Sequence, residues 1–209
     1  MTKESKCDNS HFSAKVLLRR HFLEKYHAAG RFTVFDSCQG SGLLWKELRR
    51  TFDCDYWGVD LKRKPGRLKI DSARVLDQPG IAFDVVDVDT YGHPWSQYFA
   101  LLKNHRGPAV TVFLTIGFGR SVPISTIPKE LLKLSGISFQ RLEPPETIVS
   151  AHLEFFIFRA LSECFLRGWV PIECVEALPF SFVRAKYFGL RLERQGNQPP
   201  ETKEKRGKV

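Results

Sequence analysis

The chain has 209 residues, of which 43% are hydrophobic and 17 are phenylalanine, and these values exclude an intrinsically disordered protein. The length fits one domain with a sizeable core. The formal net charge of +9 favours polyanionic partners, nucleic acid above all. We expect a flexible N-terminus over 1–10, a folded domain over 11–195 and a disordered basic tail over 196–209, which carries part of the charge.

Other classes are excluded by what the sequence lacks. No apolar run reaches the length of a membrane span, and the polar N-terminal residues show no secretory signal. The five cysteines are scattered without a C-x-x-C spacing, which is typical of reduced thiols and not of a disulfide framework or a zinc site. We therefore expect a cytoplasmic protein without a metal or a membrane partner.

Hydrophobic periodicity predicts alternating helices and strands. The predicted helices are 13–29, 43–52, 72–76, 127–134 and 147–167, and the predicted strands are 32–36, 56–60, 68–71, 83–89, 109–116, 170–178 and 183–193. This order predicts an α/β fold, a Rossmann-like doubly wound and mostly parallel seven-stranded sheet with a C-terminal antiparallel hairpin. The expected buried positions are Val16, Leu17, Phe22 and Leu23 in the first helix, Leu43, Leu44 and Leu48 in the second, and nearly every face of the helix over 147–167.

The chain is organised around a glycine turn between the first strand and the second helix. Asp36 ends the strand, and Gly40 and Gly42 follow, so that the backbone can approach a ligand closely. A dinucleotide fingerprint needs a third glycine, but Trp45 stands there. A turn of this kind also occurs for purely steric reasons, and that alternative stays open on this motif alone.

The first three predicted strands each end in an acid, namely Asp36, Asp60 and Asp71. Ligands of open α/β sheets bind at the carboxyl ends of the strands. Three carboxylates there suit a ligand with a ribose, an exocyclic amine and a positive charge. S-adenosyl-L-methionine has all three, whereas a phosphate-bearing dinucleotide fits less well.

Two motifs resemble those of known methyltransferases. The segment from Asp36 to Gly42 resembles the acid-x-G-x-G-x-G motif of class I S-adenosylmethionine-dependent methyltransferases, with Cys38 in the first glycine slot. The segment F-D-V-V-D-V-D-T-Y-G-H-P over 83–94 resembles the catalytic motif of the tRNA (guanine-N2)-dimethyltransferases, and K-I-D-S-A over 69–73 resembles that family's third motif. The chain departs from the family in Thr90, which replaces a proline, in a short crossover between the second and third strands, and in the absence of the family's C-terminal domain.

The resemblance implies a role for individual residues. It places Asp36, Cys38, Gly40 and Gly42 at the methionine end of S-adenosyl-L-methionine, Asp60 at the ribose, Asp71 and Ser72 at the adenine, and Asp87 also among the cofactor-binding residues. It makes Asp89 and Tyr91 catalytic: Asp89 accepts a hydrogen bond from the exocyclic amine of the target base, and Tyr91 stacks on that base.

A basic segment follows the second strand and is the predicted contact with nucleic acid, with RNA favoured over DNA. Its residues are Lys62, Arg63, Lys64 and Arg67. The leading hypothesis is a methyltransferase that N-methylates a nucleobase. The alternatives are a catalytically idle Rossmann-like module that binds nucleic acid or cofactor, and a methyltransferase that acts on a small molecule.

Overall fold

The computed structural model describes residues 11–62, 68–90, 92–117, 153–178 and 185–196. In chain order these residues form α1 (Phe12–Tyr26), β1 (Phe32–Asp36), α2 (Leu43–Leu48), β2 (Cys54–Asp60), β3 (Leu68–Lys69), α3 (Ser72–Leu76), β4 (Val85–Val88), α4 (Trp95–Asn104), β5 (Ala109–Gly117), α5 (Leu153–Leu166), β6 (Trp169–Ala177) and β7 (Ala185–Arg194). The predicted helix over 127–134 lies outside the described ranges. So do the predicted flexible N-terminus over 1–10 and, apart from residue 196, the predicted basic tail over 196–209.

The seven strands form one sheet in the order β3-β2-β1-β4-β5-β7-β6. Strands β1 to β5 are parallel to one another, whereas β7 is antiparallel to both β5 and β6. The predicted α/β class, the mostly parallel sheet and the C-terminal antiparallel pair are therefore confirmed. The strand order reverses between β1 and β4, and the carboxyl ends of strands at such a point form the crevice in which ligands of open sheets bind.

Each face of the sheet carries its own apolar core. On one face, α1 and α2 pack on the strands through Phe22, Trp45 and Leu48. On the other face lie α3, α4 and α5, with Trp95 and Ile157 among their buried side chains. The central strands β4 and β5 are buried on both sides, as expected of the inner strands of a parallel sheet. None of the described helices is long and apolar enough to cross a membrane.

Burial in the first two helices differs from the prediction. Leu17 is 65% exposed and Leu43 is 47% exposed, so neither belongs to the core. The buried stripe of α1 contains the cation Arg19 instead, and α2 buries Trp45 together with Leu48. The predictions for Leu17 and Leu43 were wrong because each apolar side chain was assumed to face the core. Arg19 and Trp45 are buried instead, because their polar groups have buried hydrogen-bond partners.

Two further predictions are corrected on the opposite face. Helix α4 was not predicted at all, although its aromatic and leucine side chains pack into the core. The helix over 147–167, of which 153–166 is described as α5, is not buried all round: Ile157 and Cys164 are buried, but Phe158 and Phe165 are exposed. An apolar face on a helix is therefore not enough to predict that the sheet covers it.

Candidate functional site

The glycine turn leaves the carboxyl end of β1 in a conformation that glycine adopts readily. Gly40 and Gly42 have φ values of 52° and 71°, in the left-handed region. The N–H of Gly42 donates to the carbonyl of Gln39 at 2.7 Å, and the N–H of Gln39 donates to the carbonyl of Val59 in β2 at 2.9 Å. The turn is thus held both by its own hydrogen bond and by the neighbouring strand.

Asp60 at the end of β2 lies beside this turn. Its carboxylate accepts from the N–H of Gly40 at 3.2 Å and from the N–H of Lys62 at 2.9 Å. The predicted ribose acceptor and the predicted glycine turn are therefore in direct contact, which brings the carboxyl ends of β1 and β2 together.

Asp36 is buried at the end of β1. Its carboxylate accepts from the hydroxyl of Tyr56 at 2.7 Å and from the N–H of Cys38 at 3.2 Å. Burial and the charge of Asp87 raise the pKa of Asp36 from 3.8 to about 8. Burial, followed by the charge of Asp36, raises the pKa of the Cys38 thiol to about 12. Cys38 is therefore a small neutral residue in the turn and not a thiolate nucleophile.

The carboxylate of Asp87 lies in the interior, where both of its oxygens have partners on the helices. Arg19 donates to them through Nη2 at 2.6 Å and Nε at 2.8 Å, and the indole N–H of Trp45 donates at 2.8 Å. Arg19 and Asp87 are each only 1% exposed. The carboxylate of Asp87 thus attaches α1 and α2 to the sheet, and its predicted contact with the cofactor stays a prediction.

Asp89 follows β4 and carries a second ion pair with α1. The ammonium of Lys15 contacts its two carboxylate oxygens at 2.8 and 2.7 Å, and the side chain of Asp89 is 26% exposed. Although burial alone raises the pKa of Asp89, the charges of Lys15 and Arg19 lower it below its ordinary value. A carboxylate has about four acceptor sites, so Asp89 can still accept a hydrogen bond from a ligand beside Lys15.

Asp71 and Ser72 lie at the start of α3. The carboxylate of Asp71 accepts from the N–H of Ala73 at 3.0 Å and caps the helix, and Ser72 is buried. The N–H of Ile70 donates to the carbonyl of Asp60 at 3.1 Å, so Asp71 follows directly on the contact between β3 and β2. Capping uses one oxygen of Asp71 and is compatible with its predicted contact to an adenine amine.

Three buried polar atoms near the carboxyl ends of β1 and β4 have no hydrogen-bond partner among the described residues. They are Oγ of Ser37, Oγ1 of Thr90 and Nδ1 of His93. Burial lowers the pKa of His93 to about 4, so its ring is neutral at physiological pH. Buried polar groups are normally paired, and these three therefore fit a site that receives polar groups of a ligand.

The structure also shows residues that the sequence reading missed. Lys15 and Arg19 supply the two cations of the site, and Trp45 and Tyr56 donate to its buried acids. One signal was present: Lys15 and Arg19 are four residues apart and so lie on one face of the helix. Of the predicted nucleic-acid contacts, Lys62 is exposed. The others, together with Tyr91, lie outside the described residues: Arg63, Lys64 and Arg67.

The raised pKa of Asp36 predicts a pH-dependent stability. The folded protein holds a proton on Asp36 that the unfolded chain releases, so between about pH 4 and pH 8 this group makes the free energy of unfolding fall as the pH rises. The slope is at most about 1.4 kcal/mol per pH unit. Urea unfolding of the wild type and of Asp36→Asn at several pH values measures it, because all other groups cancel in the difference. We expect the variant to gain relative stability as the pH rises, and a constant difference contradicts this assignment.

No protein-family model matches the chain, and no curated protein matches it significantly in sequence. Its fold is similar to that of Trm1 from Pyrococcus horikoshii in complex with S-adenosyl-L-methionine, with a TM-score of 0.52 and 10% identity over 88% of this chain and 54% of that one. This chain thus spans about half the length of that Trm1 protein. The cyclopropane synthase MmaA2 from Mycobacterium tuberculosis aligns with a TM-score of 0.51 and 12% identity over 91% of this chain and 87% of that one. The chain therefore has the Rossmann-like fold of the class I methyltransferases.

Proposed function

We propose that residues 11–195 form an S-adenosyl-L-methionine-dependent methyltransferase domain that N-methylates a nucleobase in nucleic acid, with RNA favoured over DNA. The observation that carries this proposal is the position of Asp89. Its partly exposed carboxylate follows β4, the strand next to β1 and its glycine turn. A group that can accept from a substrate amine is thus placed beside a backbone turn suited to a cofactor.

The described residues fit the proposed cofactor. Asp60 and the turn with Gly40 would hold the ribose and the methionine end, and Asp71 with Ser72 would hold the adenine. The carboxylates of Asp89 and Asp60 also suit a positively charged ligand, whereas Asp36 holds a proton at neutral pH. The unpartnered atoms of the site offer it polar contacts.

The chemistry requires positioning more than acid or base strength. When bound, the cofactor supplies a methyl group on a sulfonium. The target nitrogen would take up this methyl group while sulfur keeps the electron pair of the carbon–sulfur bond, and the nitrogen would release a proton to water. Because its pKa is lowered, Asp89 acts as a hydrogen-bond acceptor that orients the amine and localises its lone pair, and not as a strong base.

One observation supports a second candidate, a module that binds cofactor or nucleic acid without turnover. Both oxygens of Asp89 are in contact with Lys15, and an amine must bind beside that ammonium.

Incubation of the protein with tritiated S-adenosyl-L-methionine and total RNA, and separately with DNA, tests the main proposal. Label in either polymer supports it, whereas binding without any label supports the idle module. Label in small molecules alone supports the remaining alternative, a methyltransferase that acts on a small molecule.

Cofactor binding can be tested independently of the acceptor. We expect S-adenosyl-L-homocysteine to raise the melting temperature, with about 3 kcal/mol of stabilisation at about 100 times its Kd, and NAD to have no effect. Asp60→Ala should remove most of this shift, because it removes the acceptor beside the turn. Asp55→Ala is a matched control, since Asp55 is an exposed acid at the other end of β2. A wild-type protein whose melting temperature is unchanged contradicts the cofactor assignment.

A further inference from the structure

A basic groove runs along α2 on the face of the sheet that carries α1. It is a cavity of about 460 Å³, lined by three residues of the glycine turn and by Lys46, Arg49, Arg50 and Tyr56. Three of its lining residues are cations and none is an acid. The groove begins at the turn, where it shares Gly42 with the proposed cofactor site, and extends from there along α2 through Lys46, Arg49 and Arg50.

The groove exists because the edge of the sheet is incompletely covered. Strands β2 and β3 are parallel neighbours, yet only seven residues, 61–67, connect them. Parallel strands are usually joined by a dozen or more residues that include a helix. Strand β3 pairs only with Val59 and Asp60, so among the described residues no strand lies beyond the earlier part of β2.

The cations of the groove are available for a ligand. Lys46 and Arg49 are exposed, and neither forms an ion pair within the part of the chain that the structure describes. Arg50 is paired with Glu47 at 2.6 Å, on the exposed surface. A second cavity of about 350 Å³ shares Arg49 and Arg50 and continues past the end of the helix to Asp53. Apart from Asp53, the residues that line the two cavities are neutral or positively charged, so the basic groove attracts anions.

Tyr56 shows which part of a nucleic acid fits. The guanidinium of Arg49 lies 5.5 Å from the centroid of its ring, and the ring of Trp45 lies at 5.9 Å. Its hydroxyl donates to Asp36 at 2.7 Å. The ring is thus engaged within the protein and is not a platform for stacking a base, so the charge of the groove is what it offers to a nucleic acid.

We propose that the basic groove binds the phosphodiester backbone of a single-stranded part of the acceptor, independently of its sequence. This inference rests on the proposed function and adds a substrate class to it. The groove reaches the glycine turn, and a base presented to a cofactor there must be unpaired, so the strand held beside it is single-stranded. Positive grooves that follow the backbone are the usual means of holding single strands, and this one leads to the glycine turn.

The test compares two matched pairs of substitutions in the full chain. Lys46→Gln with Arg49→Gln removes the unpaired cations of the groove. Lys103→Gln with Arg106→Gln removes two exposed cations at the end of α4 and serves as the control. Binding of fluorescein-labelled oligouridine, oligoadenosine and oligothymidine is measured by anisotropy as a function of salt. The oligothymidine arm distinguishes DNA from RNA as the source of the backbone.

For the groove variant we expect the salt dependence, log K against log salt, to flatten by about 1.4, or about 0.7 for each lost phosphate contact. Affinity should fall about 20-fold at 0.1 M salt, equally for uridine and adenosine strands. The stabilisation by S-adenosyl-L-homocysteine should be unchanged. If the groove and control variants bind alike while the wild type methylates nucleic acid, the groove inference fails and the proposed function stands. If the groove variant alone loses binding but no polymer is ever labelled, the inference stands and methyl transfer fails.

Discussion

Asp89→Ala is expected to reduce methyl transfer by a factor on the order of 10² or more, with cofactor affinity nearly unchanged. In the proposed mechanism the carboxylate of Asp89 accepts from the acceptor amine, whereas the contact between Asp60 and the glycine turn is separate from its ion pair with Lys15. Transfer of the tritiated methyl group measures the first quantity, and calorimetric titration with S-adenosyl-L-homocysteine measures the second.

A control for the effect on Lys15 is needed, because Asp89→Ala leaves its largely buried ammonium without a partner. The double variant Lys15→Met, Asp89→Ala removes both charges, so it should regain stability while remaining inactive. Lys15→Met alone keeps the carboxylate and should retain much more activity than Asp89→Ala. Full activity in Asp89→Ala removes the chemistry from β4 and contradicts the proposed mechanism.

Asp87→Ala is expected to destabilise the protein by about 3–5 kcal/mol, because it leaves the guanidinium of Arg19 buried and unpaired. The indole N–H of Trp45 loses its partner in the same variant. Small domains are stable by only about 5–15 kcal/mol, so the variant should lose a large part of its stability and unfold at a lower urea concentration. Urea unfolding followed by circular dichroism gives the change in free energy.

Two comparisons separate the buried charge from other effects. Arg19→Met combined with Asp87→Ala should recover part of the loss, since no charge then remains buried alone. Arg50→Ala breaks an exposed ion pair with Glu47 and should cost less than about 1 kcal/mol. A cost for Asp87→Ala as small as that for Arg50→Ala means that the buried pair does not hold α1 to the sheet.

Strand positions were well predicted from local patterns. The bounds of β1 and the short helix after β3 agree with the prediction, and β5 and β6 agree within one residue at each end. Apolar runs with β-branched residues between turn signals specify a strand locally. Helix α4 was missed although its sequence carries a helix signal, since Pro94 precedes it and the buried Trp95, Tyr98 and Leu102 recur at helical spacing.

The site was predicted in part for a similar reason. An acid at the end of a predicted strand is visible in the sequence, and parallel topology then places Asp36, Asp60 and Asp89 at one edge of the sheet. Which partner each acid has is not visible, because those partners come from elements distant in the sequence. Arg19 contacts Asp87 across 68 positions and Lys15 contacts Asp89 across 74.

The sequence by itself determined the α/β class, the glycine turn and the acids that follow the strands, since each of these depends on a short local pattern. Only the tertiary structure decided what each carboxylate does. Three acids lie at the ends of β1 and β4, but their surroundings differ. Burial raises the pKa of Asp36, Arg19 pairs with Asp87, and Asp89 remains partly exposed beside Lys15. The physical reason is that the free energy of a carboxylate depends on burial and nearby charge, and both are set by the packing of α1 on the sheet.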